Sequence, residues 1–218
     1  MDTRYSEKAV TLAKALARSP RDLPGYLTHL PLWGKRPVDV RLPWFSAGAI
    51  RFLDENIVST DRVFEFGSGG STFFFAERSA SVLSVENDPA WHALVVERLR
   101  KRGLANASCE LHPLADDSLA SFQHSAFSQR ISSGTWNIVI VDCHLGFDAA
   151  RYGVIRPAAF AIARERVAPG GFIVLDDSWM FPELLQPADG WEVKNFIGVG
   201  PCRYGVTSTA IVRRLPKP

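Results

Sequence analysis

A glycine-rich turn follows a short apolar run in Val63-Phe64-Glu65-Phe66-Gly67-Ser68-Gly69-Gly70-Ser71-Thr72. Glycine lets the backbone turn sharply and lets a ligand lie against it without a Cβ clash. A second carboxylate, Glu86, ends the next apolar run 19 positions after Gly67. That is about the interval at which an acid grips the hydroxyls of an adenosine ribose. Asp142 follows Ile138-Val139-Ile140-Val141, and the pair Asp176-Asp177 follows Phe172-Ile173-Val174-Leu175. Asp142 is a catalytic candidate, and His144, two residues on, can take a proton from a hydroxyl or an amine. Asp142, Asp176 and Asp177 together offer the oxygen ligands that a magnesium-like cation prefers.

The ligand class follows from what the turn lacks. A dinucleotide fingerprint, G-x-G-x-x-G, needs glycine or alanine where this chain has Thr72. Glu65, two residues before the first glycine, is a poor neighbour for a pyrophosphate. The pattern suits a ligand that carries no phosphate and does carry an ammonium. S-adenosylmethionine (SAM) meets both conditions. Each acid also has a plainer reading, as a helix cap or a solvated loop charge.

Such residues must be carried by strands ending at one edge of a sheet. Runs at 62–66, 81–85, 107–111, 136–141 and 171–175 read as strands. Helices are expected over 72–78, 89–102 and 157–167, with Pro157 acceptable in a first turn. Strands alternating with helices predict a parallel sheet covered on both faces. The runs 191–196 and 207–213 break the alternation. Their connection is too short for a parallel crossover, so an antiparallel pair at the sheet edge is expected. Residues 118–134 read as a helix with a mobile loop. Upstream, helices are expected over 5–18 and 45–57, and five prolines from Pro20 to Pro43 predict an irregular arm between them. The division expected is a helix and Pro-rich arm over 1–45 and a sheet domain over 46–218.

With these elements in order, the sequence resembles class I, Rossmann-like SAM-dependent methyltransferases over about residues 46–213. The segment 63–72 is similar to their first motif. Ser84-Val85-Glu86-Asn87-Asp88-Pro89 resembles the ribose-binding segment, 138–142 the fourth motif, and Val167-Ala168-Pro169-Gly170-Gly171 the turn before the fifth strand. The wording, including Leu175-Asp176-Asp177-Ser178, is closest to bacterial members of undefined substrate. One departure is Ser71, where the usual motif has its third glycine; the serine either contacts the cofactor or caps the next helix. The resemblance implies that Glu65, Gly67, Ser68, Gly69, Gly70 and Ser71 face the methionine part of SAM. It implies that Glu86 holds the ribose with Asn87 beside the adenine. Leu114 and Ala115 would line the adenine, with Asp116 or Asp117 accepting from its amino group, and Asp142 would lie near the methyl donor.

The trio Asp142, Asp176 and Asp177 is more distantly similar to the Mg2+ ligands of catechol-type O-methyltransferases. The lysine which that family places beyond its strand-four acid is absent, and Cys143-His144-Leu145 stands there instead. Acceptor selectivity is expected from the arm with Trp33 and Trp44, from 118–134, from 145–155 and from 178–181, whose aromatic residues could form an apolar lid. His29, His92, His112 and His124 have no comparable context.

The bulk composition narrows the partners. Of the 218 residues, 46% are hydrophobic and 22% charged, enough for a buried core, and the net charge of +2 argues against a nucleic-acid partner. The basic run 97–102 closes a helix, where cations complement the dipole. Three cysteines without paired spacing suggest neither disulfides nor zinc. No apolar run approaches the roughly 20 residues of a membrane span. The expectation is a cytoplasmic enzyme that methylates an oxygen of a small-molecule acceptor; the alternatives are a SAM-binding module acting through partners and, behind it, an NAD-dependent oxidoreductase. Homodimerisation is compatible with either class.

Overall fold

The computed structural model describes residues 3–144, 147–148 and 151–216. Helix α1 (Thr3–Arg18) carries a half-covered apolar stripe and packs on the last two strands. The proline-rich stretch is helical rather than irregular. It forms 3-10 turns at Pro20–Asp22 and Leu30–Leu32, with α2 (Leu23–His29) and α3 (Pro37–Val40). Each piece has proline at its first or second position, where the missing N–H is not needed. The prolines therefore start short helices. Helix α4 (Ala47–Asn56) follows, capped by the Ser46 hydroxyl on the Ala49 N–H.

Strands and helices then alternate as expected: β1 (Arg62–Phe66), α5 (Gly70–Ala76), β2 (Ser81–Glu86), α6 (Pro89–Arg102) and β3 (Ala107–Leu111). Residues 118–134 form α7 (Leu119–Gln123), α8 (Ala126–Gln129) and a 3-10 turn. They are packed, since Phe122, Phe127 and Ile131 are fully buried against the sheet. Next come β4 (Trp136–Val141), a two-residue pair β5 (Phe147–Asp148) and β6 (Arg151–Tyr152), α9 (Ile155–Arg166), β7 (Val167–Asp176), β8 (Trp191–Val199) and β9 (Val206–Arg214). Of the segment 145–155, residues 145–146 and 149–150 lie outside the described residues. No helix among the described residues is long and apolar enough to cross a membrane.

Seven strands form one sheet in the order β3-β2-β1-β4-β7-β9-β8. The first five are parallel, while β9 runs antiparallel to both β7 and β8. Chain order reverses between β1 and β4, which is where open α/β sheets bind ligands. Strand alternation divides the core. Phe64, Phe66, Val139, Val141, Ile173 and Leu175 meet α7–α9 on one face. Val63, Ile138, Ile140 and Val174 meet Phe45, Leu53, Phe74 and Phe75 on the other.

Candidate active site

Register brings the sequence-predicted acids to one edge. Phe66 is level with Val85 and with Val141, so Gly67, Glu86 and Asp142 emerge side by side. Val141 is level with Leu175, and Asp176 with Thr209, which extends the row across β7 and β9. At the switch point the chain is close: a Cβ on Gly67 (φ +95°) would lie 2.7 Å from the Asp142 carbonyl oxygen. Gly70 is needed for another reason. A Cβ there would collide with the Leu42 carbonyl oxygen and approach that of Pro37, so the arm is seated on the turn. Val38 is buried with Phe73, Val95 and Leu99, and Arg41 pairs with Glu77 at 2.7 Å, holding the arm in place.

Two cavities meet here. One, of about 490 Å³, is bordered by Gly67, Ser68, Glu86, Asn87, Asp117 and His144. The other, of about 290 Å³, is bordered by Gly69, Gly70, Ser71, Asp176, Asp177 and Arg203, with Trp44 of the arm. Ser68, Trp91 and Asp142 belong to both walls.

Glu86 is 6% exposed and looks into the larger cavity. Ser68 Oγ donates to its Oε2 at 2.7 Å, while the Asn87 and Asp88 N–H groups donate to Oε1 at 2.8 and 3.0 Å. The carboxylate is thereby oriented by its own strand end. His144 Nε2 stands 3.3 Å from Asp117 at the same rim.

Glu65 is placed differently from its expected position facing the ligand. It shares strand parity with Val63, which directs it beneath α5, and it borders neither cavity. Its carboxyl accepts from the hydroxyls of Ser71, Thr72 and Ser84, the last two at 2.6 Å. Burial pushes its pKa up to about 7, against the pull of these donors. Glu65 and Ser71 thus tie the turn from below. Leu114 packs on the core and Ala115 is exposed with its N–H on Ser121 Oγ, and neither borders the cavities, nor does Asp116.

The expected Mg2+ ligands Asp142, Asp176 and Asp177 are corrected by the structure, because a guanidinium lies among them. Arg156, from the first turn of α9, is 7% exposed. Its Nη2 donates to Asp142 Oδ1 at 3.0 Å and its Nη1 lies 3.4 Å from Asp177 Oδ2. It also donates to the carbonyls of Cys143 (2.7 Å) and Asp176 (3.1 Å). Asp176 is fully enclosed and accepts from Thr209 Oγ1 at 3.0 Å. These residues do not fit a divalent ion, and no group of His, Cys, Asp and Glu among the described residues is arranged to hold one. Burial raises the Asp142 pKa to about 6, with Arg156 opposing and Asp177 adding to the rise. Asp176 is raised well above the usual carboxylate range, again chiefly by burial. Cys143 is pushed up to about 12 by burial, so it is an inert thiol.

Three residues of these walls were not singled out from the sequence. Arg156 was legible in principle: a cation in a helix first turn opposes the dipole, and α9 has no acid there to offset it. Trp91 reads as one member of a helical apolar stripe, yet its Nε1 donates to the Ser68 carbonyl at 2.8 Å and its ring flanks Gly69. Arg203 lies in the β8–β9 connection, with its guanidinium carbon 5.4 Å from the Trp44 ring centroid. No local pattern marks it.

No protein-family model and no curated protein matches the chain. Solved structures do. A candidate O-methyltransferase of Klebsiella pneumoniae has 15% identity and a TM-score of 0.63, over 96% of this chain and 99% of that one. The O-methyltransferase TomG of Streptomyces achromogenes, solved with SAM, has 13% identity and a TM-score of 0.58, over 96% and 99%. A candidate rRNA methylase of Clostridium thermocellum has 15% identity and a TM-score of 0.56, over 80% and 98%. At such identities the likeness concerns architecture, and with the strand order it assigns the chain the class I, Rossmann-like methyltransferase fold.

Proposed function

We propose that the chain is a SAM-dependent methyltransferase acting on an oxygen of a small-molecule acceptor. The observation that carries this reading is the pair of cavities meeting at Asp142, one of them presenting the oriented, buried carboxylate of Glu86. Glu86 would take the ribose hydroxyls in place of the Ser68 hydroxyl. Asn87 and Asp117 would border the adenine, and the Gly67–Gly70 backbone with Ser71 the amino-acid half. SAM supplies a methyl group already activated on a sulfonium. The protein then has to hold the acceptor oxygen in line and take its proton.

Asp142 is the base in this reading. With a pKa of about 6 it is ionised at neutral pH and more basic than an ordinary aspartate. Arg156 orients it and supplies the positive charge in its surroundings, so the transfer is expected to need no divalent ion. His144 stands with Asp117 in the other cavity, which favours Asp142 over it for the proton. Among the similar folds are both O-methyltransferases and rRNA methylases. The acids of the smaller, inner cavity of about 290 Å³ and the small net charge favour a small molecule over a phosphate-rich acceptor.

Calorimetric titration with S-adenosylhomocysteine (SAH) tests the cofactor reading. Binding by the wild type and about tenfold or greater weakening in Glu86→Gln are expected, since a charge-assisted hydrogen-bond pair is lost. Labelled SAM and a panel of hydroxylated acceptors, with and without EDTA, test the transfer. Absence of SAH binding would defeat the proposal, and a requirement for metal would defeat the role given to Arg156.

A further inference from the structure

The inner cavity abuts a third one of about 550 Å³, between α1, the turn after β7 and the start of β9. The two share Asp177 and Arg203. The outer cavity is of small-molecule size. Two large rings stand exposed in its wall, Trp179 at 61% and Tyr204 at 38%. Tyr204 is braced from behind by the edge of Trp33, with centroids 5.4 Å apart. Trp44, in the adjoining wall, is itself 39% exposed. Aromatic surface gathered in one concavity favours a flat, apolar ligand.

The charge at the seam is also specific. Asp142 and Asp177 are engaged by Arg156. Arg203 rests on Trp44; its charge helps to lower the pKa of Asp142 and of Asp176 from a distance, but it makes no hydrogen bond or close ion pair among the described residues. On α1, Glu7 and Lys8 contribute one carboxylate and one ammonium to the wall of the outer cavity. The seam therefore offers one planar cation with its hydrogen-bond donors unused, a geometry that takes a carboxylate through two parallel bonds.

We propose that the outer cavity binds the acceptor, and that the acceptor is a hydroxylated aromatic carboxylic acid. Its ring lies against Trp179 and Tyr204, its carboxylate on Arg203 and its hydroxyl toward Asp142. This rests on the methyltransferase reading above. A second carboxylate, that of SAM itself, is the competing source for Arg203.

The test titrates the full chain, saturated with SAH, with 3,4-dihydroxybenzoate and with catechol, the same ring without the carboxylate. The acid is expected to bind at least about tenfold more tightly. Arg203→Gln should abolish that preference and leave SAH affinity intact, and Trp179→Ala should weaken both aromatics. Equal affinity for the two rings would overturn the proposal. So would an Arg203→Gln variant that weakens SAH but not methylthioadenosine, which lacks the carboxylate, because Arg203 would then serve the cofactor. If SAH binds and neither aromatic does, this inference alone falls; if SAH does not bind the wild type, the methyltransferase reading falls with it.

Discussion

Replacing Arg156 by alanine removes a buried cation from among three carboxylates. The side chain is 9% exposed, and its partners Asp142 and Asp177 are 28% and 25% exposed, so solvent screens these pairs only weakly. Breaking a buried ion pair by deleting one partner costs about 3–5 kcal/mol. For a chain of this length that corresponds to a fall in Tm of roughly 6–20 °C. The loss should depend on pH. Asp142 has a folded pKa of about 6, above its unfolded value of about 3.9. As pH rises the unfolded chain releases this proton first, so ionisation erodes stability from about pH 4 to 6. Without Arg156, which lowers that pKa, the erosion continues to higher pH. The deficit of the variant should be smaller at pH 5 than at pH 8, because only the Asp142 contact weakens with protonation while those to Asp177 and the two carbonyls are lost at both. Urea unfolding followed by tryptophan fluorescence at both pH values measures it. A deficit below about 1 kcal/mol at pH 8, or one equal at the two pH values, would refute the ion-pair account of this cluster.

Two further outcomes follow from the same geometry. Asp142→Asn should lower kcat by about 10²–10⁴-fold while SAH affinity stays within a few-fold, and wild-type kcat/KM should rise as pH passes about 6; unchanged turnover would remove Asp142 as the base. Glu65 has a folded pKa of about 7 against a usual 4.5, so wild-type stability should decline between about pH 4.5 and 7, by roughly 3 kcal/mol from this group. Glu65→Gln cannot ionise and should flatten that decline in parallel denaturation curves, whereas superimposable pH profiles would contradict the buried-acid assignment.

The sheet was legible because its signals are local. Helix α6 has proline at its start, three basic residues in its last turn and Gly103 at its C-cap, and the expected range 89–102 agrees with the observed one. The position of Glu86, at a strand end beside the glycine turn, was legible because spacing along βαβ is set by the lengths of a strand, a turn and a helix. The arm was misread because proline was taken only as a breaker, although at a first turn it fits a helix. The magnesium ligands were misread because the three acids were weighed without a cation that lies 14 residues beyond Asp142 in sequence and touches it only through the fold.

Glu65 shows how far the letters carry when parity is used. Residues of one parity on β1 face α5, and the hydroxyls of Ser71 and Thr72 lie in the first turn of that helix. A carboxyl placed below a helix start, with hydroxyls above it, is bound to be consumed by them. Ser71 then stands where the resemblance expects glycine for a reason internal to the chain. The serine hydroxyl anchors the turn through Glu65, and what the first two strand ends leave to a ligand includes the backbone of the turn and the side chain of Glu86.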